Sequence, residues 1–162
     1  MSPSFAPHNE PESIWYQQFP AVESMFETMA KLPLSYQVLI AQQINQGIAR
    51  YHKDMQSRPG EEPLKSLGAS LVMDMMRYRN LPLWFNKDAC IHQAIMHLPH
   101  VSAHTQRDLL YRVKISLDTI NAFLKQCQEQ QQKPDERSVG TLVESVFSRS
   151  GEDIRQLVQR GR

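Results

Sequence analysis

The sequence predicts an all-α fold, a bundle of six to seven helices. The chain of 162 residues contains only six glycines. It also shows almost no alternation of β-branched and polar residues. The small number of glycines and this lack of alternation both argue against a sheet. Apolar residues recur instead at positions i, i+3, i+4 and i+7, which places them on one face of a helix. Prolines and N-capping residues separate these stretches, as helix ends require.

Three helices are predicted in the first half of the chain. Pro20 begins the first at a position where proline is favoured, and Pro33 ends it. Ser35 is the expected N-cap of a long second helix that runs to about Met55. A proline-rich loop follows, and apolar residues at helical spacing predict a third helix over 64–79.

The second half begins with two helices of unequal length. Trp84 and Phe85 lead into a helix that ends near Leu98. Ser102 is the expected N-cap of the next helix, and the apolar residues after it recur with a near-heptad step. This long helix is expected to end in the glutamine-rich stretch before Pro134.

The two ends of the chain complete the predicted domain. A shorter helix is predicted over 138–147, and a capping-box pattern at Ser150 predicts a C-terminal helix over 150–160. Three prolines among the first eleven residues predict a flexible arm over 1–13. We therefore expect residues 14–162 to form a single all-helical domain.

These signals occur in the same order in both halves of the chain. The only two tryptophans, Trp15 and Trp84, lie 69 residues apart at matching points of this order. The pattern predicts two tandem three-helix units of about 69 residues, 14–80 and 83–149. The alternative is that caps and stops recur by chance in any helical protein, and Leu81-Pro82 has no counterpart in the first half.

Charge, cysteines and apolar runs limit the class of protein. Eighteen Lys and Arg against 17 Asp and Glu give a net charge of +1, so no strong field draws the chain to polyanions. Cys90 and Cys127 are too few for a disulfide framework and indicate a reducing compartment. No apolar run approaches the ~20 residues of a membrane span, and the N-terminus lacks the pattern of a secretory signal. We expect a cytoplasmic protein with no membrane contact.

A histidine-rich corner provides the candidate metal ligands Cys90, His97, His100 and His104. Pro99 interrupts the helix between His97 and His100, and the chain has no CxxC or HExxH motif. We therefore predict no metal and no cofactor, and expect the histidines to cap carbonyls or lie on the surface. The alternative function of this corner is a response to pH through histidine protonation.

Motifs for catalysis are absent, and motifs for nucleic-acid binding are weak. The sequence has no glycine-rich phosphate loop and no GxSxG turn, so we predict no catalytic residues. The C-terminal arginines favour an alternative function, a DNA- or RNA-binding regulatory protein; these are Arg149, Arg155, Arg160 and Arg162. Glu152 and Asp153 oppose this function, because they would place negative charge at the start of the predicted helix 150–160, where it would face phosphate.

The predicted function is a non-enzymatic protein-interaction or adaptor module, a subunit of a larger assembly or a homodimer. The segment between the two predicted units concentrates aromatic and arginine side chains, the types that contribute most to protein interfaces. The candidate contact patch comprises Tyr78, Arg79, Trp84 and Phe85. The alternative is that Trp84 and Phe85 are core anchors of the second unit.

Overall fold

The computed structural model describes residues 14–56 and 81–151, positions 73, 76, 78, 153 and 156, and only the backbone of residues 54–56. All regular structure in this part of the chain is helical, which confirms the all-α prediction. Five α-helices have described bounds: α1 (Pro20–Ala30), α2 (Leu34–Gln56), α3 (Ala89–His97), α4 (Ala103–Glu129) and α5 (Glu136–Ser148). Shorter 3-10 turns occupy Trp15–Gln18, Trp84–Lys87 and Leu98–His100.

Two of the predicted helix starts are confirmed. Pro20 is the first residue of α1. The Ser102 hydroxyl accepts a hydrogen bond from the Thr105 backbone N–H at 3.2 Å and caps α4. At the C-terminal end, the Ser150 hydroxyl accepts from the Asp153 N–H at 3.2 Å, as a capping residue would. The remainder of the predicted segment 150–160 lies largely outside the described residues, as does most of the predicted helix 64–79.

Three predicted starts are wrong by a few residues, and two of these follow from aspartate caps. Asp88 has an extended backbone, separates the Trp84–Lys87 turn from α3, and accepts from the Cys90 N–H at 2.8 Å. Asp135 accepts from the Arg137 N–H at 3.2 Å, so α5 begins before 138. Ser35 lies inside α2, because this helix already begins at Leu34, directly after Pro33.

The core forms where the two long helices, α2 and α4, meet the shorter ones. Its largest fully buried side chains come from every described helix except α5 and from the Trp84–Lys87 turn: Phe26, Met29, Ile40, Ile44, Phe85, Ile91, Ile95 and Ile120. α2 and α4 approach closely at Gly47, where an added Cβ would lie 2.6 Å from a Leu109 methyl. An alanine at this position would require the Leu109 side chain to shift.

The last helix is attached to α4 through Arg112. This side chain is only 7% exposed, and its guanidinium donates to the backbone oxygens of Val146 and Phe147 at 3.0 Å each. It also donates to the Arg149 oxygen at 2.6 Å and pairs with Asp108 at 2.9 Å. Arg112 therefore satisfies the carbonyls that the C-terminal end of α5 leaves without helical partners.

A similar succession of elements occurs twice in the described chain, except that the Leu98–His100 turn precedes the second long helix. A 3-10 turn that begins with tryptophan is followed by a short helix and a long helix, first as Trp15–Gln18, α1 and α2, then as Trp84–Lys87, α3 and α4. Across the described residues, no helix combines the length and the apolar character needed to cross a membrane.

Candidate functional site

An open, mostly apolar groove lies between α1 and α4. Its volume is about 720 Å³. Its large apolar side chains come from both helices, from the residue before α1 and from the Trp15–Gln18 turn: Trp15, Phe19, Val22, Met25, Leu110, Tyr111 and Leu117. Phe19 is 52% exposed and Tyr111 is 36% exposed. Large apolar side chains exposed beside a concave surface are typical of binding sites.

α1 and α4, which line the groove, pack less closely on each other than α3 and α2 do. Met25 on α1 and Leu110 on α4 are both half-buried and line the groove. The positions 69 residues away on α3 and α2 are Ala94 and Ala41, which are fully buried. Small side chains let two helices approach, whereas larger ones hold their axes apart.

The residue at the mouth of the groove, Phe19, occupies an unusual position for its type. It is the N-cap of α1 but provides no side-chain hydrogen bond there. Asp88, 69 residues after Phe19, caps α3 by accepting from the Cys90 and Ile91 N–H groups. Aspartate is among the best N-cap residues, and an apolar residue at this position leaves the helix less stable by about 1 kcal/mol. Phe19 therefore replaces a favourable cap with exposed apolar surface.

Charge on the groove is confined to the α4 side. Arg107, Lys114 and Asp118 line it and are all exposed. The Lys114 ammonium lies 3.4 Å from the Asp118 carboxylate, so this pair is neutral overall. Arg107 forms no salt bridge with any described residue, and the lining contributed by α1 carries no charged side chain. The groove is thus apolar with an excess positive charge along one wall.

The described residues of the predicted contact patch are buried or packed against the core. Phe85 is fully buried and Tyr78 is 7% exposed, so both are core residues. Trp84 is half-buried, and its indole N–H donates to the Tyr16 hydroxyl at 3.2 Å. Arg79 lies outside the described residues. These positions favour the core-anchor alternative, and we propose no contact patch on these residues.

The two tryptophans connect the halves of the molecule. The indole N–H of Trp15 donates to the Ile95 carbonyl of α3 at 2.8 Å. Trp84 binds Tyr16 in return, and its ring packs against Phe26 at 6.3 Å between centroids. Burial raises the pKa of the Tyr16 hydroxyl, which stays protonated and remains a hydrogen-bonding group at neutral pH. Both tryptophans therefore hold α1 and α3 together.

The histidine-rich corner also contains His52, which comes from α2. His97 packs against His52 of α2, with 4.7 Å between ring centroids. Burial, with the charges of His52 and His100, lowers the pKa of His97 to about 4, and burial also lowers the pKa of His52. Both rings are therefore neutral at physiological pH.

The other candidate ligands do not join this pair as a metal site would require. Burial raises the pKa of the Cys90 thiol, and Asn45 donates to the Cys90 sulfur at 3.3 Å. His100 is half-buried, whereas His104 is exposed near the start of α4. No three His, Cys, Asp or Glu side chains converge as metal ligands within the residues that the structure places.

The basic C-terminal residues are mostly outside the described chain. Arg149 is exposed, and its backbone oxygen accepts from Arg112. Arg155, Arg160 and Arg162 lie outside the described residues.

The groove itself was not among the sites predicted from the sequence. One signal was present, since an aromatic residue at an N-cap, immediately before Pro20, contradicts the preference for a polar residue there. Nothing in the sequence pairs Phe19 with Tyr111, because these residues lie on helices from opposite halves. Comparison of the chain with protein-family models, with curated proteins and with solved structures found no match.

Proposed function

We propose that this chain is a non-enzymatic protein-interaction module, a subunit of a larger assembly, and that the groove between α1 and α4 binds a partner protein. The observation that carries the proposal is the groove itself, with Phe19 half exposed at its mouth. Aromatic residues that fill or border a pocket provide most of the binding energy in many protein interfaces. Three aromatic residues line the groove, Trp15, Phe19 and Tyr111, and of these Phe19 and Tyr111 are exposed.

The loss of helix stability caused by Phe19 at the N-cap of α1 supports this function. An aromatic N-cap forgoes a hydrogen bond that Asp88 makes at the equivalent position of α3. Departures from local rules of this kind concentrate at functional sites, where stability is lost in exchange for binding. Phe19 is therefore better explained by what it contacts in a complex than by its contribution to the free chain.

We also propose that the scaffold consists of two related helical units, 14–80 and 83–149, that arose by tandem duplication. Eight pairs of buried apolar side chains lie 69 residues apart in the two halves: Tyr16 and Phe85, Phe26 and Ile95, Met29 and Leu98, Leu32 and Val101, Ile40 and Leu109, Ile44 and Val113, Ile48 and Leu117, Tyr78 and Phe147. Gln37 and Gln106 also lie 69 residues apart, and each donates to a backbone carbonyl near the C-terminal end of the preceding short helix. Equivalent positions with equivalent roles support a common origin.

The proposed function is tested by a charge placed in the groove. Partners are recovered from nuclease-treated lysate with the wild-type chain and purified, and their affinity is then measured for two variants. Tyr111→Glu should lower affinity at least about 30-fold, the loss typical of an interface hot spot. Gln126→Glu, an exposed position of the same helix outside the groove, should leave affinity unchanged. Equal affinity of the two variants, or loss of every partner on nuclease treatment, would contradict the proposal.

A further inference from the structure

We infer that the partner segment bound in the groove is an amphipathic helix whose α4-facing flank is acidic; this inference rests on the proposed function. The shape of the groove favours a helix. Its lining on α4 extends from Ala103 to Asp118, fifteen residue steps, which correspond to about 22 Å at 1.5 Å per residue. Two helices form its walls, and a third helix packs into such a groove as helices pack on each other in a bundle.

The apolar lining of the groove requires an apolar face on the bound helix. Met25 and Leu110 hold α1 and α4 apart, and Phe19 and Tyr111 border the opening. A helix laid between these walls presents apolar residues at i, i+3, i+4 and i+7 along a single face. An extended peptide would instead present alternate residues, and no strand edge is available in the described residues to pair with its backbone.

Charge complementarity determines that the flank of the bound helix facing α4 is acidic. Arg107 and Lys114 are seven residues apart on α4, so they lie two turns apart, about 10 Å, on the same side of the groove. Asp118 neutralises Lys114 in part, but Arg107 has no described ion-pair partner. Because Lys114 is paired with Asp118, Arg107 is the unpaired cation of the described lining, and an acidic residue on the α4-facing flank of the bound helix matches its charge. The lining contributed by α1 carries no charge that would oppose this residue.

The inference is tested by selection from a displayed library of random 18-residue peptides on the full-length chain, with counter-selection on the Tyr111→Glu variant. Enriched peptides should carry apolar residues at helical spacing with Asp or Glu on one flank of that apolar face, and should become helical on binding. Arg107→Glu should weaken a selected peptide at least about tenfold. A peptide with Lys in place of its acidic residues should recover binding to this variant. Arg137→Glu, exposed on α5 away from the groove, is the matched control.

Three other results of this experiment would overturn the inference, and they differ in what they imply for the proposed function. Peptides that depend on Tyr111 but are extended, uncharged or basic would overturn this inference and leave the proposed function in place. Failure of the library to yield any binder that depends on Tyr111 would overturn both. Equal loss of binding by Arg107→Glu and Arg137→Glu would assign the charge effect to the whole surface and would also overturn the inference.

Discussion

His97 and His52 form a contact between α3 and α2 that depends on both rings being neutral. The rings are 4.7 Å apart, and burial is the largest cause of the lowered pKa of each. A histidine that is buried without a carboxylate partner loses its place when it is protonated, because the charge is desolvated and repelled by its neighbour. The pair therefore links the stability of the α2–α3 interface to pH.

We predict that acid lowers the free energy of unfolding through this pair. Unfolded histidine binds a proton near pH 6.5, whereas His97 in the folded chain does so only near pH 4. Between these values the unfolded state holds more protons, so stability is complete above about pH 6.5 and falls as the pH is lowered toward 4. Urea midpoints measured from pH 8 to pH 4.5 should show this decline, and His97→Gln should reduce it. His104→Gln, at an exposed position, is the control; equal declines in all three proteins would contradict the assignment.

The sequence predicts some of the contacts between single residues and misses others. The sequence brings His97, His100 and His104 together because they are neighbours along the chain. It does not indicate His52, which reaches His97 only because α2 packs on α3. The sequence also does not decide whether Tyr78 and Phe85 are buried. An aromatic side chain near the end of a helix is compatible with core and surface alike until the packing of the helices is known.

Helix boundaries were predicted most closely where a cap or a proline defines them. Pro20 and Ser102 mark the starts of α1 and α4. The errors have two causes. Asp88 and Asp135 cap α3 and α5, whereas α2 begins at Leu34, before the expected cap Ser35. Side-chain capping depends on backbone angles that a sequence pattern does not specify.

At the level of elements, we predict that Arg112 is essential to the attachment of α5. Arg112→Met retains the stem of the side chain but leaves the Val146, Phe147 and Arg149 carbonyls and the Asp108 carboxylate without this partner. Loss of a buried ionic donor of this kind costs about 3 kcal/mol of unfolding free energy. Lys114→Met removes an exposed ion pair from the same helix and should cost less than about 1 kcal/mol. Urea unfolding measures both, and equal losses would contradict the role of Arg112.

At the scale of the whole molecule, the all-α class is predictable from helical periodicity, but the groove is not. Its walls come from helices that lie in different halves of the chain, so its width depends on how these helices cross. The crossing in turn depends on side-chain volume, with Met25 and Leu110 on one side of the molecule and Ala94 and Ala41 on the other. Periodicity identifies all four as apolar positions and does not state which pair will pack tightly.

The central claim is that Phe19 is retained for binding and is dispensable for folding, and the substitution Phe19→Asp tests it most directly. It replaces the exposed ring with the residue type that caps α3 at Asp88. Thermal or urea unfolding should therefore show a stability equal to that of the wild type or higher by up to about 1 kcal/mol. The affinity of this variant for the partner purified with the wild-type chain should fall at least about 30-fold.

Leu34→Asp is the matched control for this measurement, because Leu34 is also exposed and apolar at a helix start but lies outside the groove. We predict that it keeps wild-type affinity. A Phe19→Asp chain that is stable and binds the partner as well as the Leu34→Asp chain does would contradict the account.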